Sequence, residues 1–141
     1  MDKASLVLAA LKPGGGFRYS PVQVQKLLFL IDRQIPDLVD GPHFDFQPYH
    51  YGPFDRTVYQ VLTGLAVRGF VDVDTAAPRR TYSLTPEGLR EAERLFAALP
   101  LRAQDFITRT SEFVRRLSFA QLVSAIYKAY PEMKANSVFQ H

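Results

Sequence analysis

Residues 51–88, YGPFDRTVYQVLTGLAVRGFVDVDTAAPRRTYSLTPEG, decide the fold. Pro53 is placed to open a helix that runs to about Arg68. Phe54, Val58, Val61, Leu62 and Leu65 fall on one face of it at helical spacing. Asp55, Arg56, Tyr59, Gln60, Thr63 and Val67 occupy the opposite face. Gly69 stands where a helix stops in a left-handed residue. Residues 70–73 alternate as a short strand, 75–78 form a turn, and 79–84 return as a second strand. Thr85-Pro86-Glu87 then has the form of an N-cap followed by proline at the first helical position. Helix, glycine stop, hairpin and new helix, in this order, build a winged helix-turn-helix domain.

Outward from this stretch the pattern is helical. Residues 2–12 predict a short amphipathic helix carrying Ala4, Leu6, Val7, Ala10 and Leu11, ended by Gly14, Gly15 and Gly16. Ser20-Pro21 predicts the start of a second helix that Pro36 stops. Val24, Leu27, Leu28 and Ile31 form its buried stripe, and Gln25, Lys26 and Arg33 face water. Residues 36–53 are rich in turn signals, with a brief alternating strand over 44–46. That linker is unusually aromatic, so it must pack under something or present a surface. After Thr85 a helix runs to near Pro100. A further helix over 101–117 turns Phe106, Phe113, Val114 and Leu117 inward. Ser118 caps a helix over 119–130 with a stripe of Phe119, Leu122, Val123, Ile126 and Tyr130, and Met133, Val138 and Phe139 can fold back on it. The expected fold is mainly α with a small β-hairpin: one winged-helix domain over 1–141, with a core at 17–99 and a C-terminal helical extension at 100–141.

Composition narrows the function classes. With 47% hydrophobic and 22% charged residues, the chain is an ordinary globule. It has no cysteine, which removes disulfide and thiolate-metal chemistry and fits a cytoplasmic protein. No apolar stretch approaches the roughly 18 residues of a membrane span. The net charge is +3, but residues 51–100 balance six bases against six acids, and the excess lies in 101–141. A DNA reader usually concentrates positive charge at its recognition helix and wing. Here that segment is neutral.

Two blocks carry a resemblance. The first contains Gln25-Lys26-Leu27-Leu28-Phe29, Phe46, Tyr49-x-Tyr51-Gly52-Pro53-Phe54 and the helix ending in Gly69. The second contains Tyr130-Pro131 and Ser137. Together they resemble the bacterial YwgA-like proteins and, more distantly, the SocA/Panacea antitoxin-type domain. The resemblance spans most of the chain and rests on structural residues. It implies a compact, mostly helical, winged-helix-like domain without a catalytic set. The better understood distant branch binds proteins, neutralising toxins or adapting them for proteolysis. The hairpin with Arg79-Arg80 departs from that branch and looks more like a transcriptional winged helix.

The candidate sites follow. Arg79 and Arg80 sit where a wing meets phosphate or the minor groove, and Arg56, Tyr59, Gln60 and Thr63 would face the major groove. Against this, a polar helix face and an exposed hairpin need charges for solubility. Tyr49 and Tyr51 could form a partner-binding pocket, or plug the space between the helices at 21–34 and 53–68. Arg115 and Arg116 could touch an acidic partner, on a helix face otherwise stabilised by Asp105–Arg109 and Glu112–Arg116 pairs. His43, Asp45 and His50 are the metal or acid-base candidates, but no HExxH or HxH pattern accompanies them, so packing is the favoured role and no metal or cofactor is expected. A phosphate loop at Gly14–Gly16 and a hydrolase elbow lack their motifs. The expected function is a non-enzymatic binding module in a bacterial regulatory, toxin–antitoxin or defence context. Binding of double-stranded DNA for transcription regulation is placed first. The alternative is a protein-binding antitoxin or adaptor, with a toxin as the kind of partner. The amphipathic C-terminal helices offer a surface for a homodimer.

Overall fold

The apolar run near the N-terminus becomes the centre of the molecule. In the computed structural model, which describes residues 1–76 and 78–139, helix α1 spans Lys3–Leu11, and Leu6 through Leu11 are all buried. It is therefore a central rod, not the amphipathic helix that the spacing predicts. Asp2 caps it by accepting the Ser5 N–H at 2.8 Å. Helix α2, Pro21–Gln34, starts where Ser20-Pro21 predicts. Ser20 and Gln23 form a reciprocal capping box: Gln23 N–H donates to Ser20 Oγ at 3.2 Å, and Ser20 N–H donates to Gln23 Oε1 at 2.8 Å.

The aromatic linker folds differently from the expectation. Its strand is not at 44–46 but three residues later: β1, Gln47–Tyr49, pairs antiparallel with β2, Gly52–Phe54. Phe44 and Phe46 instead pack inward, with Phe46 edge-on to Phe29 at 5.6 Å. Pro53 belongs to β2 and does not open a helix. Its fixed φ suits an edge strand as well as a first helical turn, and here the strand wins. Helix α3 begins later, at Thr57, and runs to Val67. The Asp55 carboxylate accepts the Thr57 N–H at 2.8 Å, so Asp55 and Arg56 form the approach to the helix and not part of its face.

Gly69, at φ 81°, ends α3 as predicted. Phe70 N–H donates to Leu65 O and Gly69 N–H to Ala66 O, the paired bonds of a Schellman stop. Strands β3, Val71–Asp74, and β4, Thr81–Leu84, pair antiparallel with Val71 opposite Leu84 and Asp74 opposite Thr81. Arg79 and Arg80 precede β4 and do not belong to it. Ala77 of the predicted turn and His141 lie outside the described residues. Tyr19, between α1 and α2, bridges β4 by exchanging two backbone hydrogen bonds with Tyr82, at 2.8 and 2.9 Å.

Helix α4, Pro86–Ala97, is capped by Thr85, whose hydroxyl accepts the Gly88 N–H at 3.0 Å. Helix α5, Leu101–Arg116, packs on α1 and α2 through Ala103, Ile107 and Val114, while Phe106, Phe113 and Leu117 are only half-buried. Helix α6, Phe119–Ala129, has its own capping box from Ser118 and Gln121. Phe119 is 36% exposed, at the edge of the stripe rather than within it. Beyond α6, Met133 is buried, but Val138 is 58% exposed and does not fold back into the core. Its backbone N–H ties the tail to His50 O at 3.0 Å instead. Residues from Leu6 to Met133 share one hydrophobic core. Among the described residues, no helix is long and apolar enough to cross a membrane.

Candidate functional site

Gln25 and Lys26 are not on the water-facing side of α2. They are 1% and 2% exposed, because the β1–β2 hairpin lies over them. Gln25 uses both ends of its amide on one residue: its Nε2 donates to Asp55 O and its Oε1 accepts Asp55 N–H, each at 3.0 Å. The Gln25 side chain thus substitutes for a peptide group. Gln25→Leu leaves both backbone groups of Asp55 without these partners and should cost about 1–3 kcal/mol, read as a lowered urea midpoint.

Lys26 Nζ donates to Pro53 O at 3.3 Å. It lies beneath Gly52, where an added Cβ would be 3.5 Å from the amine. Burial away from water pushes its pKa down to about 7. Among the described residues no carboxylate pairs with it.

Above the lysine is a pocket of about 240 Å³ walled by Tyr49, Tyr51, Phe54 and Tyr59, with Pro21 and Val22 at its side. Tyr49 and Tyr51 are 47% and 42% exposed, so neither plugs the gap between α2 and α3. Tyr49 stacks on His50 at 4.2 Å and leans on Phe54. Tyr59 was expected on the outer face of α3 with Gln60 and Thr63. It is instead half-buried, edge-on to Phe54 at 5.7 Å and stacked on Tyr82 at 6.3 Å. Burial raises its pKa above the usual phenol value. Arg56, Gln60 and Thr63 remain exposed.

The two arginines before β4 lie near this pocket without lining it. Arg79 sits over the Phe119 ring at 5.8 Å, and Phe119 is edge-on to Tyr51 at 5.1 Å. Arg80 is close enough to Tyr59 to act on its ionisation. Neither arginine has an ion-pair partner among the described residues. The hairpin also carries acid: Asp72 and Asp74 lie 3.3 and 3.7 Å from Arg18. The two sets of residues that the sequence separates into a groove reader and a partner pocket therefore meet in part: Tyr59 joins Tyr49 and Tyr51 in the wall, and Arg79 approaches through Phe119.

The remaining candidates lie elsewhere. Arg115 is half-buried, donating to Ser111 Oγ at 3.0 Å and lying over Phe17 at 5.9 Å, so its role is internal. Ser111 in turn bonds the buried Tyr19 hydroxyl at 2.9 Å. Arg116 is exposed. The Asp105–Arg109 pair forms at 2.9 Å. His43 is held by Val39 O and by the Asp32 carboxylate, which accepts its backbone N–H at 2.8 Å. Among the described residues, no group of three or more His, Cys, Asp or Glu could hold a metal. A larger groove of about 330 Å³ between α2, α5 and α6 is mostly apolar, and its Gln34 and Arg109 already bond Tyr130 and Asp105.

Sequence reasoning missed Gln25 and Lys26 as site residues. The available signal was the aromatic linker itself, since a loop with that much apolar surface has to cover a neighbour. Comparison with protein-family models, curated proteins and solved structures returned no match.

Proposed function

We propose that the chain is a non-enzymatic, winged-helix-like binding module whose working surface is the aromatic pocket over Lys26, and that its partner is a protein. The observation that carries this reading is the pocket: four aromatic side chains, two of them well exposed tyrosines, over a buried lysine. Rigid aromatics in a partly desolvated recess are where protein partners are anchored. The winged-helix assignment is supported by the order α1, Tyr19, α2, α3, β3, β4, with Tyr19 adding a third pairing to the hairpin. The resemblance to YwgA-like and antitoxin-type proteins points the same way.

Binding of DNA is the second reading, favoured by Arg79 and Arg80, which are exposed and have no ion-pair partner among the described residues. It is weakened because Tyr59 turns away from the outer face of α3, which leaves Arg56 and Arg68 at its two ends as the bases. Selection of displayed peptides on the immobilised full chain, beside duplex titration at low salt, separates the two. Selected peptides should lose at least about tenfold in affinity on joint Tyr49→Ala and Tyr51→Ala substitution, as expected for hot-spot aromatics. The melting temperature should be nearly unchanged. An empty selection, with salt-dependent duplex binding that Arg79→Ala and Arg80→Ala abolish, would sink the protein reading and establish the other.

A further inference from the structure

Lys26 has three N–H donors, and the described residues use one of them, on Pro53 O. Lys26 is 2% exposed and belongs to the pocket lining, and its amine sits under Gly52. A buried ammonium without a counter-charge is costly, and an anion delivered to it from the pocket would relieve that cost. Charge near the pocket, outside its lining, has the same sign. Arg79 and Arg80 are exposed and have no ion-pair partner among the described residues, while Arg18, close to the same hairpin, is already paired with Asp72 and Asp74. The walls are different in kind: Tyr49, Tyr51, Phe54 and Tyr59 offer ring faces and edges to an apolar group. About 240 Å³ holds one large side chain with its neighbouring polar group.

Resting on the reading of this pocket as the working surface, we propose that it recognises a carboxylate presented beside an aromatic or large aliphatic side chain of a partner polypeptide. The carboxylate reaches toward Lys26 beneath Gly52, and the apolar side chain lies among the tyrosines. The carboxylate can belong to a chain terminus or to an Asp or Glu next to the anchor. The recognising chemistry is the same in both cases.

Three probes test this on the full chain by amide chemical-shift titration: N-acetyl-phenylalanine, its primary amide, and N-acetyl-aspartyl-phenylalanine amide. The free acid should bind roughly tenfold tighter than its amide, the size of effect expected for one hydrogen bond to a charged group. Shifts should centre on Gly52, Tyr51 and Tyr59. If the aspartyl amide binds as tightly as the acid, a side-chain carboxylate serves as well as a terminus; if it binds more tightly, the side-chain source is favoured; if it binds like the neutral amide, the chain terminus is. In Lys26→Met the difference between acid and amide should vanish while amide affinity stays. Equal affinities in the wild type, no shifts at the pocket with any probe, or an acid preference that survives Lys26→Met would each overturn the proposal. The wild-type comparison stands even if the variant misfolds. Selected neutral peptides competing at the pocket would discard the carboxylate and keep the protein partner. An acid preference beside an empty peptide selection would do the reverse.

Discussion

Gly88→Ala should destabilise the protein by about 3 kcal/mol or more, the upper end of what overpacking costs. A Cβ at Gly88 would lie 1.8 Å from Phe70 O and 2.7 Å from Phe70 C, and these are backbone atoms that cannot rotate away. Phe70 O also accepts the Thr85 N–H at 3.1 Å, and Thr85 caps α4 and donates to Gly69 O. Making room for one methyl group therefore displaces the end of α3, the cap of α4 and the base of the β3–β4 hairpin together. Urea unfolding followed by circular dichroism measures the loss. Gly64→Ala is the internal control. It lies on the exposed side of α3 with nothing within 4 Å of its added Cβ, so helix propensity alone predicts a gain of about 0.5–1 kcal/mol. A loss at Gly88 no larger than about 1 kcal/mol would show that the α3–α4 junction yields to a methyl group.

Lys26→Met should raise stability at pH 7, by about 2–4 kcal/mol, because a buried charge gives way to an apolar side chain of similar length. The gain should shrink as pH rises. The folded pKa of Lys26, about 7, is below its ordinary value of 10.5. Between those values the unfolded chain holds the proton and the folded chain does not, so wild-type stability climbs with pH. Below pH 7 both states are protonated and the full cost persists. The shift corresponds to about 4–5 kcal/mol at 1.36 kcal/mol per unit, reduced in practice because the methionine leaves Pro53 O without its Lys26 donor. The N-terminal amine, held protonated by Asp40, titrates with the opposite sign. It is common to both proteins and cancels in their difference. Paired urea titrations from pH 6.5 to about 9.5, below the raised phenol values of Tyr19 and Tyr59, give the comparison. Parallel pH profiles would mean that the Lys26 amine is solvated in the folded state.

Helix ends were the most legible features of the sequence. Ser20, Thr85 and Ser118 act through local hydrogen bonds within three residues of themselves, and Gly69 through its own backbone, so short-range pattern suffices. The linker was legible only as aromatic. Whether Pro53 opens a helix or sits in a strand depends on Gln25 and Lys26, some 27 to 30 residues away in the chain, which bond Pro53 and Asp55. For the same reason the polar residues of α2 looked solvated: helical spacing shows which positions share a side, but not that a later hairpin will cover it. Tyr59 is similar, since only the return of β4 brings Tyr82 against it. The charge balance of 51–100 was read correctly as a count, yet the consumption of Arg18 by Asp72 and Asp74 is a tertiary fact.

The Gln25 amide and the Lys26 amine also determine how the β1–β2 hairpin can meet other chains. On the side of β2 away from β1, Pro53 has no N–H to offer and its carbonyl is taken by Lys26. Both backbone groups of Asp55 are taken by Gln25. The strand edge is closed from within, without a further strand to close it. An incoming polypeptide therefore cannot extend this sheet at β2 by backbone pairing, the route by which exposed edges recruit extra strands and seed aggregation. Whatever docks here must do so through side chains, which favours selectivity for particular residues over a general affinity for extended chain.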